Sequence, residues 1–185
     1  MSFLQWARRH VVLILVALLV AAWSVFLIYV PSEKIVAAVG VENTYLVAFL
    51  LAATAGASTL TSTSFYGSIA TFALGGASPL ILGLAGGVGA FLSNALFYYL
   101  VLYGRKSLTG KLKAWGQRFA KRVEALPPSV VYAAVFCYSG LTPLPDDILI
   151  ATLAISSYRF LRFAPFLLAG NITIVMLIAL FAGGQ

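Results

Sequence analysis

Acidic residues, histidine and cysteine are nearly missing from this chain: five Asp and Glu, one His and one Cys. The lone cysteine, Cys137, sits in an apolar run, which excludes a disulfide framework and a Cys-based metal site. His10 is solitary and N-terminal, where an interfacial role suits it, so no pair of imidazoles can bracket a metal. No Gly-x-Ser-x-Gly element and no phosphate-cradling loop ending in Lys occurs. The usual enzyme constellations are therefore absent, and no catalytic residue, cofactor or metal is expected. Charge is scarce too: 9% of residues are charged, against about 25% in soluble domains.

What is present is apolar. Hydrophobic residues make up 62% of the 185, and the mean hydropathy is +1.00. A soluble core of this length could not hide so much apolar surface, so the bilayer must serve as solvent. No linker divides the chain, and residues 1–185 read as a single membrane domain. The net charge of +7 is confined to particular segments. That pattern suits anionic headgroups and membrane orientation, with membrane lipids as partners and no nucleic acid.

Arg8-Arg9-His10 precedes 20 apolar residues, 11–30, ending at Pro31 without a small-x-small cleavage site. The length predicts a retained first span. After a polar stretch over 31–43, the apolar segment 44–56 runs into the hydroxyl-rich 57–64, and the apolar 65–74 ends at Gly75-Gly76-Ala77-Ser78-Pro79. Neither apolar piece reaches the roughly 20 residues a crossing helix needs. Together, 44–75 read as a re-entrant hairpin, a non-helical break being tolerated at depth only where protein or a cavity surrounds it. A full span follows over 79–103, with Gly83 and Gly87 on one small-residue face. That face is open to packing within one chain or to self-association as a homo-oligomer.

Residues 105–126 carry seven basic side chains, including Arg105, Lys111, Lys113, Arg118, Lys121 and Arg122. Leu108, Leu112, Trp115, Phe119, Val123 and Leu126 recur among them at spacings of three and four. This predicts an amphipathic helix in the membrane interface; a cationic loop that sets topology is the simpler reading. Pro127-Pro128 ends it. A second hairpin, 129–158, breaks at Thr142-Pro143-Leu144-Pro145-Asp146-Asp147, and a last span covers 163–182.

The two halves align without a gap at an offset of 81 residues: Ser58 with Ser139, Thr61 with Thr142, Ile69-Ala70-Thr71 with Ile150-Ala151-Thr152, Gly89 with Gly170. The matches fall at equivalent places in two hairpin-plus-span units. With Arg8-Arg9 and the basic 105–122 stretch placed in the cytoplasm, the first hairpin enters from outside and the second from inside, returning at Arg159 and Arg162. The fold class is therefore an all-α polytopic membrane protein: an inverted repeat of two hairpins, each followed by a transmembrane helix, with the hairpin tips meeting near the midplane. A multi-pass protein of the plasma membrane with a cytoplasmic N-terminus is expected.

Asp146 and Asp147 stand out because an intramembrane carboxylate is costly and points to function by default. Burial and a like-charged neighbour both work against ionising the second carboxyl, which suits it to exchange a proton or bind a cation. The plainer role is to N-cap the half-helix from Ile148. Pro143 and Pro145 hold the break open by removing donors, and their carbonyls, with Thr142, offer ligands. Thr61, Ser62, Thr63 and Ser64 supply the opposing tip, with free amides from about Phe65 suited to an anion; satisfying local backbone is their alternative role. Asn94 and Asn171, mid-span, are placed to bridge spans to hairpins.

The order hairpin, span, amphipathic helix, hairpin, span, with Leu-Thr-Pro-Leu-Pro-Asp-Asp at 141–147, resembles the DedA superfamily, also called VTT or SNARE-associated proteins. The resemblance covers roughly residues 44–182. It implies a transporter that moves lipids or lipid-linked carriers across the membrane, in some members at the expense of the proton gradient. This chain departs from the family pattern in having no carboxylate at 61–67, and Arg159 and Arg162 stand at the base of the second hairpin rather than at its tip. A proton- or cation-coupled small-solute transporter and a non-transporting scaffold are the alternatives.

Overall fold

A computed structural model describes residues 32–55, 59–104, 114, 118–123 and 125–184. The span expected over 11–30 lies outside these residues, as does most of the basic segment, Arg105, Lys111 and Lys113 included. Seven helices are labelled here: α1 Ser32–Val39, α2 Val41–Ala55, α3 Thr59–Leu74, α4 Pro79–Gly104, α5 Pro128–Leu141, α6 Asp147–Ile155 and α7 Phe160–Gly183. A shorter helical piece covers 118–123. No strand occurs among the described residues, and this part of the protein is all-helical.

Two helices, α4 with 26 residues and α7 with 24, are long and apolar enough to cross a membrane. At 1.5 Å per residue they reach about 39 and 36 Å, beyond the ~30 Å hydrocarbon core. The surface of α4 carries Leu80, Leu84, Val88, Leu92, Leu96 and Leu100, all exposed at intervals of four. An exposed row of five leucines and a valine along one helix face is the kind of surface that suits contact with lipid.

The two halves build the same order of described elements: short helix, second short helix, tight turn, long helix. Each turn is a Schellman motif. Gly76 (φ 93) closes α3, with Gly76 N donating to Ala73 O and Ala77 N to Phe72 O. Ser157 (φ 60) closes α6, with Ser157 N donating to Ala154 O and Tyr158 N to Leu153 O. Every atom pair in one turn maps to the other at the offset of 81, with serine where glycine is the ordinary choice.

Packing repeats the correspondence. The most extensive contact is α4 on α7; α2 then lies on α4 and α5 on α7, while α3 crosses to α7 and α6 to α4. Each unit thus hands its second short helix to the other unit's long helix. Two apolar cores result. One holds Ile69, Phe72, Ala73, Leu82 and Ala179, the other Ile150, Leu153, Ala154, Phe163 and Tyr98. These are the same five positions, 81 residues apart, with the long-helix contribution exchanged.

The glycines at the crossings explain the closeness of the fit. A Cβ on Gly87 would stand 2.5 Å from Ile172 Cα, and one on Gly83 would stand 2.7 Å from Met176 Cβ. Gly89 lies against the Phe49 carbonyl of α2, and its counterpart Gly170 against the Ser139 hydroxyl of α5. The Gly83–Gly87 face is therefore used within the chain.

Two elements differ from what the sequence predicts. The stretch over 31–43 contains α1, which buries Val36 and ends at Gly40 (φ 83). Helix α3 begins at Thr59, so Thr61–Ser64 fall inside it and a helix start at about Phe65 is not found. Hydroxyls do not break an apolar helix when they bond back one turn, as Ser68 does to Ser64 O (2.8 Å) and Thr71 to Gly67 O (2.9 Å). In the basic segment, 118–123 turns Phe119 and Val123 inward and leaves Arg118, Lys121 and Arg122 exposed, an amphipathic arrangement over that part.

Candidate functional site

Thr142 leaves the helical conformation at the end of α5, and its hydroxyl turns back to the Tyr138 carbonyl. The break then runs through Pro143 and Pro145, neither of which can donate a backbone hydrogen bond. The Pro145 carbonyl accepts from the Tyr138 hydroxyl at 3.1 Å. Of the three groups read as ligands from the sequence, Thr142 and the Pro145 carbonyl are thus engaged within the hairpin, and Pro143 is exposed.

Asp146 occupies the N-cap position of α6, and its backbone carbonyl accepts from Ile150 N at 2.9 Å. Its carboxylate makes no capping bond. The backbone is helical there (φ −65°, ψ −18°), which turns the side chain away from the first amides of α6. It faces the long helices instead. Asn94 Nδ2 of α4 donates to Asp146 Oδ2 at 3.0 Å. The Asn171 amide of α7 is assigned the orientation that sets its nitrogen toward the carboxylate, since the reverse opposes like groups. In that orientation it donates to Asp146 Oδ2 at 2.9 Å and accepts from Asn94 Nδ2 at 3.1 Å and Phe91 N at 3.2 Å. Asn94 and Asn171 are buried, 4% and 2% exposed. One carboxylate oxygen therefore ties α6 to both long helices.

A cavity of about 30 Å³ adjoins this triad. Phe65, Tyr66, Ala90, Asn94, Asp146, Asp147, Asn171 and Val175 line it, with Ala52, Leu144, Pro145 and Ile174. The first eight form four pairs at the offset of 81: Phe65 with Asp146, Tyr66 with Asp147, Ala90 with Asn171, Asn94 with Val175. The cavity therefore lies where the repeats meet, and at each pair one unit is apolar or aromatic where the other is polar. Among the described residues no basic side chain lines it, and no group of three or more His, Cys, Asp or Glu could hold a metal ion. The volume accommodates one or two waters or a bare cation.

Of the residues read as a site, Asp146, Asp147, Asn94, Asn171 and Pro145 converge here. Ser64 is half-buried on α3 outside the lining, and the side chains of Thr61, Ser62 and Thr63 lie outside the described set. Arg159 and Arg162 lie apart, against two larger cavities. Phe65 and Tyr66 escaped the sequence reading, although the repeat offset points to them once Asp146 and Asp147 are chosen. Comparison with protein-family models, curated proteins and solved structures finds no match to this chain.

Proposed function

We propose that this chain is a multi-pass membrane transporter, not an enzyme, that passes a lipid or lipid-carrier headgroup between its two hairpins, with Asp146 as the group that takes up a proton or cation. The observation that carries the reading is the carboxylate held by two buried asparagines, without a basic partner among the described lining residues, at the junction of both units. A carboxylate in apolar surroundings is costly unless it is paired or neutralised. Asparagine amides hydrogen-bond it without neutralising it, which leaves it able to gain a proton or cation and release it again. Inverted repeats commonly place the coupling site between them.

The hairpins 41–74 and 128–155 enter the bilayer from opposite faces in this reading, and the basic 118–122 side chains mark the cytoplasmic face of the plasma membrane. The exposed leucine row of α4 meets the acyl chains. At about 30 Å³ the cavity takes a water or bare cation but not a headgroup, so passage requires α3 and α6 to separate from their partner helices. The resemblance to the DedA superfamily in residues 141–147 supports a lipid substrate. The same small polar cavity favours a coupled small-solute transporter as the second reading.

Reconstitution tests the proposal. Proteoliposomes carrying a fluorescent phospholipid or a polyprenyl phosphate should translocate at least one of them faster than protein-free vesicles, and an imposed pH gradient should change that rate. If folded protein translocates neither lipid, the headgroup reading fails and substrate-stimulated ion flux becomes the expected activity.

A further inference from the structure

Ser156–Arg159 turn the chain between α6 and α7, and two cavities adjoin this turn, of about 340 and 670 Å³. They share Ser157, Arg159 and Arg162, and neither has a lining residue in common with the cavity at Asp146. Among the described residues no acidic side chain lines either one. Two exposed guanidinium groups and a hydroxyl thus face open space without a balancing carboxylate there. The larger cavity continues along Tyr98, Tyr99, Leu102, Phe160 and Leu161. Its wall is held in place: the Phe160 ring lies 5.1 Å from Tyr98 and 5.6 Å from Tyr99, and the Tyr98 hydroxyl donates to the Tyr158 carbonyl at 2.6 Å.

A cationic mouth joined to an aromatic and aliphatic trough fits one kind of occupant, an amphiphile with an anionic head. Free phosphate would use the mouth and leave the trough empty. Arginine is the side chain that grips phosphate oxygens through paired N–H donors. The other repeat supplies an internal comparison. At the offset of 81, Gly76, Ser78 and Ile81 stand where Ser157, Arg159 and Arg162 stand here. The first unit makes the same Schellman turn with glycine and without cations. The second keeps serine at φ 60, a left-handed conformation that a residue with a side chain adopts only at a cost.

The geometry points to a docking site for one anionic phospholipid at this turn, with the phosphate on Arg159 and Arg162 and an acyl chain in the trough beside Tyr99 and Phe160. The site serves one leaflet only, because its counterpart in the first unit lacks both arginines. It rests on the membrane reading of the chain and does not require that Asp146 act in translocation.

Native mass spectrometry of the full chain in detergent tests it, with phosphatidylglycerol and phosphatidylcholine of matched acyl chains as probes. The wild type should retain phosphatidylglycerol over phosphatidylcholine on the order of tenfold, as two arginines near a headgroup allow. Arg159→Gln/Arg162→Gln should lose that preference, and Arg159→Lys/Arg162→Lys should keep most of it. Arg118→Gln/Lys121→Gln should keep it in full. The single Gln variants, each expected to lose part of the preference, cover the case in which the double variant does not fold. Equal retention of the two lipids by the wild type, or an undiminished preference in folded Gln variants, would overturn the assignment.

Discussion

Asp146→Asn is expected to bring translocation down to the protein-free background while leaving the protein folded. The amide is isosteric with the carboxylate, and its oxygen can accept from Asn94 and Asn171 as Asp146 Oδ2 does at 3.0 and 2.9 Å. What the variant loses is the capacity to take up a proton or cation. Removing a buried charge offsets the loss of charge-assisted hydrogen bonds, so thermal stability should change little or rise. Asp146→Ala should behave differently. It leaves two buried amides short of an acceptor, each costing about 1–3 kcal/mol, and should lower stability as well as activity. Measuring unfolding temperature beside translocation rate separates the two effects. Full translocation by the folded Asp146→Asn/Asp147→Asn protein would remove the site from the mechanism.

The largest structural effect is expected at Gly87, where α4 and α7 cross. A Cβ there meets Ile172 backbone at 2.5 Å and the Ile172 nitrogen at 2.7 Å, and backbone cannot rotate aside as a side-chain end can. Gly87→Leu must push the two long helices apart along the contact that joins both units. Overpacking of this kind costs about 1–3 kcal/mol or more where nothing can yield. Since close approach through small residues is a main source of helix association in lipid, the variant should fail to give a monodisperse folded species in detergent. Gly104, at the end of the same helix, has nothing within 4 Å of its notional Cβ. Gly104→Ala should be neutral or slightly stabilising, which makes it the matched control in a thermal-unfolding series. Normal folding of Gly87→Leu would contradict the crossing described here.

How much of this was legible in the sequence depends on what kind of force sets each feature. The long helices were, because length and hydropathy alone decide them: 79–103 against Pro79–Gly104, and 163–182 against Phe160–Gly183. The start of α7 was misplaced by three residues because Arg162 reads as a boundary charge, whereas it sits within the first turn. The hydroxyl-rich segment 57–64 reads as non-helical as far as Ser64, whereas α3 already begins at Thr59; a run of serine and threonine looks like loop, while hydroxyls such as Ser68 and Thr71 bond back to the preceding turn. The carboxylates at the second break stand out in the sequence as candidates, since intramembrane acid has few plain explanations, and the structure brings them to one cavity with Asn94 and Asn171. The pairing itself was not legible. Asn94 and Asn171 do not correspond to each other in the repeat, and only the crossing of α4 over α7 brings both to one oxygen. Asp146 itself sits at a cap position, and nothing local says that its side chain turns toward the long helices instead.

The central claim is that the two units enter the bilayer from opposite faces and meet at Asp146. Leu80 and Leu161 test it most directly, being exposed, equivalent at the offset of 81, and placed at the starts of the two long helices. Leu80→Cys and Leu161→Cys, each made with Cys137→Ser, would be labelled with a membrane-impermeant maleimide in sealed vesicles of known orientation. The account predicts labelling of Leu161→Cys from the face that carries Arg118, Lys121 and Arg122, and of Leu80→Cys from the other face. Labelling of both from the same face would contradict it.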